Sequence, residues 1–163
     1  MEIRQANTGD IPTILHIASL TWPHAYGDIL QPRQISYMLE MMYSPDVLLQ
    51  QMEQEGHRFL LAYSAGKPIG FAGFSPYENE SWKLHKLYVL PFQQQTGVGK
   101  KLLQQAEQQA QQSGAKAMYL NVNRHNKAKD FYSYLGYSIH AEGDFEIGAG
   151  FFMNDYIMKK TFL

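Results

Sequence analysis

Two closely spaced glycines, Gly97 and Gly99, follow an extended apolar run and come just before a helical pattern. The run spans residues 82–89, and the helical pattern continues from Lys100. Glycines let the backbone approach a ligand closely, and the first N–H groups of a helix point at it with the positive end of the helix dipole behind them. The spacing therefore predicts an anion-binding loop, and we expect a pyrophosphate there.

The same loop lacks two well-known nucleotide-binding patterns. A Walker loop needs four residues between its glycines, and a serine or threonine after its lysine, but here a second lysine follows Lys100. A dinucleotide-binding fingerprint needs a third glycine where Leu102 stands. These differences disfavour both nucleotide hydrolysis and a nicotinamide-dependent dehydrogenase.

The pattern Gln94-x-x-Gly97-x-Gly99 resembles the acyl-CoA-binding motif of the GNAT N-acyltransferases. The segment 126–137, with its Phe-Tyr pair and closing Gly-Tyr, resembles the second signature of that superfamily. The resemblance implies transfer of an acetyl group from acetyl-CoA to a primary amine by direct attack in a ternary complex. It assigns these residues to the cofactor: Leu87, Val89, Gln94, Gln95, Thr96, Gly97, Val98, Gly99, Lys100 and Asn126.

Two side chains are candidates for the chemistry of acetyl transfer. His85 has an ordinary pKa near neutrality and lies on the predicted strand beside the expected thioester. The surrounding segment resembles the arylalkylamine N-acetyltransferases, in which a histidine at the matching position takes the amine proton through water, although Lys83 stands where a second histidine is found. The resemblance makes Tyr132 the acid that assists the leaving thiolate. A packed strand histidine and a core tyrosine are the alternatives.

The acceptor is the least determined part of the prediction. The tail, residues 145–160, resembles the C-terminal strand pair of bacterial spermidine/spermine N-acetyltransferases, which favours a small amine or a polyamine. Trp22 and Tyr26 offer ring faces for an ammonium, and Glu78 and Glu80 offer carboxylates for a second one. A protein N-terminus, a lysine side chain or an amino sugar is the alternative acceptor, and a non-catalytic acyl-CoA-binding regulator is the alternative of another class.

Hydrophobic periodicity and turn residues place the elements that must position these groups. We expect a mixed α/β fold, and the resemblance implies a splayed, mostly antiparallel sheet flanked by helices, with acyl-CoA in the central cleft between the strands 82–89 and 117–122. It also implies that a β-bulge near Leu87 to Val89 frees a backbone N–H for the oxyanion. The predicted helices cover 11–20, 32–42, 45–56, 98–114 and 127–135, and the first of them is expected to end near Trp22 and Pro23. The other predicted strands cover 59–63, 69–74 and two C-terminal segments.

Composition narrows the remaining classes. The 163 residues contain no cysteine, which excludes a disulfide framework and a cysteine nucleophile, and the scattered histidines predict no metal site. Fourteen basic and fifteen acidic residues give a net charge of -1 without a basic block, which disfavours nucleic acid and membrane surfaces as partners. We expect one soluble, cytoplasmic domain over residues 1–163, and the resemblance allows a homodimer.

Overall fold

The fold is a mixed α/β arrangement in a computed structural model that describes residues 1–94 and 96–163. Within those residues the chain forms seven strands and five α-helices. The strands are β1 (Glu2–Gln5), β2 (Arg58–Ser64), β3 (Lys67–Pro76), β4 (Ser81–Val89), β5 (Ala117–Asn123), β6 (Ser138–Gly148) and β7 (Phe151–Thr161). The helices are α1 (Ile11–Tyr26), α2 (Pro32–Met42), α3 (Pro45–Glu53), α4 (Val98–Gln112) and α5 (Ala128–Tyr134).

The strands form one sheet in the order β1-β2-β3-β4-β5-β7-β6. Every neighbouring pair is antiparallel except β4 and β5, which run parallel. The β4–β5 pairing covers only Ser81–Leu84 against Ala117–Leu120, and among the described residues the second half of each strand has no partner across the gap. This observation confirms the prediction of a splayed sheet that opens between these two strands.

A β-bulge lies on β4 at His85. Gly73 of β3 pairs with Lys86, whereas the next residue, Phe74, pairs with Leu84, so His85 is an extra residue on β4. An extra residue reverses the alternation of side chains along a strand. The bulge therefore lies two residues before Leu87, earlier than the Leu87–Val89 position that the sequence resemblance implied.

Helices cover both faces of the sheet. Helices α1, α2 and α3 pack with Phe59, Leu61 and Phe71 on one face, because alternate residues of a strand point to opposite sides. Helices α4 and α5 pack with residues such as Leu60 and Phe74 on the other face. The β4–β5 opening therefore lies between α1 on one face of the sheet and α4 and α5 on the other.

Two details of the secondary structure differ from the sequence-based expectation. Helix α1 continues to Tyr26 instead of ending near Trp22 and Pro23. Pro23 has no backbone N–H, so the helix loses one hydrogen bond at this exposed position. The Pro23 carbonyl still accepts a hydrogen bond from Gly27 N–H at 2.9 Å, and Trp22 and Tyr26 stay buried. The short edge strand β1 is not predicted by the sequence patterns.

No helix in the described part of the chain is long and apolar enough to cross a membrane.

Candidate active site

A cavity of about 610 Å³ occupies the opening between β4 and β5. Its walls come from α1, β4, the loop before α4, β5 and α5, so the cavity lies where the sheet hydrogen bonds stop. Site residues predicted from sequence that line it are Tyr26, His85, Leu87, Val89, Gln94, Gly99, Asn126 and Tyr132.

The backbone of β4 presents unpaired N–H groups to this cavity. Leu90 N–H bonds to Ile69 of β3 at 2.8 Å, which fixes the side of β4 that faces β3. Since alternate residues of an antiparallel strand direct their backbone groups to opposite sides, Leu87 and Val89 direct theirs into the gap toward β5. Both residues lie beyond the last β4–β5 pair, at Leu84, so their N–H groups are available to a ligand.

The loop before α4 has the backbone conformation that a phosphate cradle needs. Gly97 adopts φ +82°, a left-handed conformation that favours glycine, at the N-cap of α4. Gly99 lines the cavity, and a Cβ atom at this position would lie 3.5 Å from the ring of Phe131. Helix α4 has fifteen residues, and the positive end of its dipole faces this loop.

The other cofactor residues predicted in this loop take different positions. Gln94 donates a hydrogen bond from Nε2 to the Val89 carbonyl at 3.2 Å and so ties the loop to β4. Thr96 is exposed and bonds to Gln93, whereas the side chain of Val98 is buried in the core. Lys100 is exposed on the first turn of α4. Gln95 lies outside the described residues.

Helix α5 brings the second predicted motif to the cavity. Asn126 Oδ1 accepts a hydrogen bond from Ala128 N–H at 2.9 Å, so this side chain caps the start of α5. Tyr132 is buried and its ring contacts those of Phe131 and Tyr137. Burial raises the pKa of Tyr132 well above its usual value of about 10. The phenol is therefore protonated at neutral pH and can donate a hydrogen bond into the cavity.

His85 is a half-buried residue of β4 with polar neighbours. Its Nε2 is 2.7 Å from Ser75 Oγ, and its ring stacks on His57 with the centroids 4.5 Å apart. Burial, followed by the charges of His57, Lys86 and Lys83, lowers the pKa of His85 to about 3. His85 is neutral at physiological pH and acts there as a hydrogen-bonding group without charge.

Lys86 is a functional candidate that the sequence analysis missed. It lines the cavity, yet the residue is only 3% exposed. Its Nζ donates to Gln51 Oε1 at 3.1 Å and lies 5.5 Å from the ring centroids of both Tyr43 and Phe59. Burial lowers the pKa of Lys86 to about 8. A charged residue within an apolar strand pattern is the sequence signal that could have identified it.

The two aromatic residues predicted for the acceptor have different surroundings. Tyr26 lines the cavity, and its hydroxyl lies 3.1 Å from the hydroxyl of Tyr88 on β4. Trp22 is 1% exposed and does not line the cavity, because its ring packs against Tyr26, Tyr43 and Tyr88. Trp22 thus lies in the core behind the cavity wall, and its predicted contact with the acceptor stays a prediction.

Glu78 and Glu80 lie before β4, at the end of the strand where it pairs with β5. Both are in the exposed turn before Ser81, and Glu80 pairs with Lys116 at 2.9 Å at the start of β5. The β4–β5 pairing is closed at this end and opens only beyond Leu84. Neither glutamate lines the cavity, and their predicted contact with the acceptor stays a prediction.

A protein-family model described as the acetyltransferase (GNAT) family matches residues 12–137. The match spans well over half of the 163 residues and includes the loop before α4 and helix α5. The chain belongs to the GNAT acetyltransferase family. It is an acyl-CoA-dependent N-acetyltransferase, and acetyl-CoA is its acyl donor.

Relatives of this GNAT protein match nearly its whole length. The spermidine N(1)-acetyltransferase of Thermoplasma acidophilum is 26% identical over 99% of this chain and 98% of the relative. An uncharacterized N-acetyltransferase of Bacillus subtilis is 32% identical over 84% of this chain and 89% of the relative. The crystal structure of the PaiA N-acetyltransferase of Thermoplasma acidophilum in complex with coenzyme A superposes with a TM-score of 0.83, at 26% identity, over 99% of this chain and 98% of that one.

The residues of this GNAT protein suit acetyl-CoA. The free N–H groups of Leu87 and Val89 form an unfinished strand edge, which the amide groups of a pantetheine can complete. Gly97 has open space around the position of a Cβ atom, so its backbone is accessible to a phosphate. Acetyl-CoA supplies the activated thioester, and the chain supplies the hydrogen-bond donors around it.

A negative charge at Gly99 should prevent acetyl-CoA from binding. Gly99→Glu places a carboxylate in the cavity beside the N-terminus of α4, and we expect acetyl-CoA affinity to fall by about 100-fold through charge repulsion and steric exclusion. Isothermal titration calorimetry measures the affinity, and circular dichroism checks the fold. Gln108→Glu adds the same charge on the exposed side of α4 and should bind normally. Unchanged affinity in Gly99→Glu would disprove the cradle.

The depressed pKa of His85 also makes stability depend on pH. Below pH 6.5 the unfolded chain binds a proton at this histidine, whereas the folded chain does not until about pH 3, so stability falls as the pH decreases through this window. At pH 5.0 the loss relative to pH 7.5 is about 2 kcal/mol from His85. Urea unfolding should show that His85→Gln removes this part of the loss.

His16→Gln is the matched control, because His16 is exposed on α1. Its loss of stability between pH 7.5 and 5.0 should equal that of the wild type. If the His85→Gln variant loses as much stability as the wild type between these two pH values, burial does not hold the histidine in its neutral form.

Proposed function

We propose that this GNAT enzyme acetylates a primary amine of a small molecule, with a polyamine as the favoured acceptor. The observation that carries the proposal is that the unpaired Leu87 N–H and the Tyr132 side chain face one cavity between β4 and β5. Acetyl transfer from a thioester requires two such hydrogen-bond donors, one for the carbonyl oxygen and one for the departing sulfur. The expectation of a cytoplasmic location is part of the same proposal.

The reaction is a direct attack of the amine nitrogen on the thioester carbonyl. Leu87 N–H donates to the carbonyl oxygen as it gains negative charge, and this donor needs no reorganisation because β4 holds it in place. When the carbon–sulfur bond breaks, Tyr132 donates a hydrogen bond to the departing sulfur. Full proton transfer from Tyr132 is unfavourable, since a thiol has a pKa of about 8.5 and burial raises the pKa of this phenol above its usual value of about 10.

The amine must lose a proton before it attacks. An alkylammonium with a pKa of about 10.4 is neutral in about one molecule in 2500 at pH 7, a deficit of roughly 4.6 kcal/mol. Transfer of that proton to His85, whose pKa is about 3, would cost on the order of 10 kcal/mol. We therefore assign the proton to solvent water and give His85 the role of a neutral hydrogen-bonding group that orients the amine or this water.

A polyamine acceptor is favoured by one comparison and by the form of the site. One relative that matches 99% of this chain is named a spermidine N(1)-acetyltransferase. The cavity is bounded by α1 and by both strands, and Tyr26 and Tyr88 contribute polar aromatic groups to its wall. Such a cavity suits a slender alkylamine. A protein N-terminus or a lysine side chain is the alternative acceptor, and it is tested directly below.

Release of free thiol from acetyl-CoA tests the proposed activity with a panel of amines. Spermidine, a monoamine of similar length and peptides with free N-termini are compared by kcat/KM. We expect spermidine to be the best acceptor. Faster acetylation of the peptides would overturn the small-molecule assignment, and binding of acetyl-CoA without thiol release for any amine would indicate a non-catalytic acyl-CoA-binding protein.

The role of Tyr132 can be tested by removing only its hydroxyl group. Tyr132→Phe removes the donor to the leaving sulfur and should lower kcat by about 10²-fold, with acetyl-CoA affinity nearly unchanged. Steady-state kinetics and calorimetry measure the two quantities. Tyr134→Phe is the matched control on the same helix, because Tyr134 is exposed, and it should keep full activity. A fully active Tyr132→Phe enzyme would leave Tyr132 with a packing role only.

A further inference from the structure

Asp155 is a buried acidic residue that the reaction described above does not use. It lies in the middle of β7 and is 6% exposed. Its Oδ2 accepts a hydrogen bond from Asn121 Nδ2 at 3.4 Å, and Asn121 lines the cavity. The charge of Asp155 also contributes to the raised pKa of Tyr26, another lining residue. The carboxylate therefore lies directly behind the cavity wall formed by Asn121 and Tyr26.

One oxygen atom of the Asp155 carboxylate has no hydrogen-bond partner among the described residues. In the described part of the chain, Asp155 Oδ1 is buried without a hydrogen bond, and no basic nitrogen lies within 4.0 Å of the side chain. Lys83 of β4 and Arg124 after β5 are the nearby basic groups, and Arg124 is already paired with Glu142 and Asp144. Burial raises the pKa of Asp155. A buried carboxylate with a free oxygen is costly unless a cation or donor meets it.

The register of the strands gives the level of Asp155 in the cleft. Leu84 of β4 pairs with Leu120 of β5, and because His85 is an extra residue in the bulge, Leu87 lies only two rungs further, at the level of Val122. Asn123, the next residue of β5, pairs with Asp155. Asp155 therefore lies about one residue beyond the level of the Leu87 N–H, across the β4–β5 opening and one strand further. At the usual strand spacing the two backbones are separated by roughly 10 Å plus the width of the opening.

We propose that Asp155, together with Asn121, forms a subsite for a second, non-reacting ammonium group of the acceptor. An amine that attacks a thioester held at Leu87 is too far away to contact Asp155 as well, so one acceptor fills both positions only if it carries two amino groups. The subsite makes this enzyme select diamines and polyamines over monoamines. The inference rests on the proposed function, because it specifies the acceptor of the same site.

An organic ammonium suits this position better than a metal ion. No group of three or more histidine, aspartate or glutamate side chains able to hold a metal ion occurs among residues 1–94 and 96–163. A single carboxylate oxygen is instead a good acceptor for one ammonium N–H. Tyr26 borders the same place and can offer its hydroxyl or ring to the cation.

The first experiment uses wild-type enzyme and a chain-length series of acceptors. The probes are diaminoalkanes with about three to eight carbons, a range chosen around the estimated distance across the opening. Each is compared with the monoamine and the amino alcohol of the same chain length. The expected result is a kcat/KM advantage for the diamine over both matched acceptors, with a maximum at one chain length. Equal values for the diamine and the amino alcohol at every length would overturn the subsite.

The second experiment compares Asp155→Asn with Glu146→Gln. Both variants lose one carboxylate from the same hairpin, but Glu146 is exposed on β6. Asp155→Asn should lower the ratio of kcat/KM for diamine over monoamine by about 10- to 100-fold, whereas Glu146→Gln should keep the wild-type ratio. An equal fall for diamine and monoamine would contradict the subsite, because it would show that Asp155 acts on the reacting amine or on the fold.

Asp155→Glu provides a variant that keeps the charge. Its carboxylate reaches about one methylene further, so the best diamine should become shorter by about one carbon while the diamine advantage remains. An unchanged optimum would contradict direct contact. These outcomes differ from failure of the proposed function, in which no amine of the series would release thiol from acetyl-CoA in the wild type.

Discussion

The site depends on the point at which β4 and β5 separate. The two strands pair only as far as Leu84 and Leu120, and beyond these residues the backbone groups of β4 that face β5 have lost their sheet partners. Backbone N–H groups require a hydrogen-bond acceptor, and in the free protein water in the open cavity meets this requirement. A ligand with amide and carbonyl groups satisfies it. The same opening creates the cavity and aligns α4 and α5 on its cofactor side, so one irregularity of the sheet provides the space, the donors and the anion-binding helix.

Burial shifts the pKa values of the polar groups around the opening. Desolvation is the largest cause of the lowered pKa values of His85 and Lys86 and of the raised pKa values of Asp155 and Tyr132. All four shifts favour the neutral form of the side chain, which is the expected effect of a low-dielectric environment. Groups of this kind cost stability and cluster at functional sites. The lowered pKa of His85 is the reason why the proposed mechanism relies on hydrogen-bond donors and solvent more than on a titrating histidine.

Local signals in the sequence predicted most of the helices and strands, including the loop and helix on the side of the cavity next to α4. Gly97 and Gly99 predicted the loop before α4, and the Asn126–Tyr137 segment predicted α5, because both depend on residues close together in the chain. The acceptor side depends on register between distant strands. The bulge at His85 follows from pairing with Gly73, and the burial of Trp22 follows from packing against Tyr88. Asp155 comes close to the cavity only because β7 pairs with β5, so no local pattern could distinguish it from the exposed Glu78 and Glu80.

Hydrogen exchange of single backbone amides on β4 tests the central claim most directly. Lys86 and Tyr88 direct their N–H groups toward β3, whereas Leu87 and Val89 direct theirs into the opening. The account predicts slow exchange at Lys86 and Tyr88 and fast exchange at Leu87 and Val89 in the free protein, followed by protection of Leu87 and Val89 when acetyl-CoA is added. Equal protection of all four amides without acetyl-CoA, or no change at Leu87 and Val89 on its addition, would contradict it.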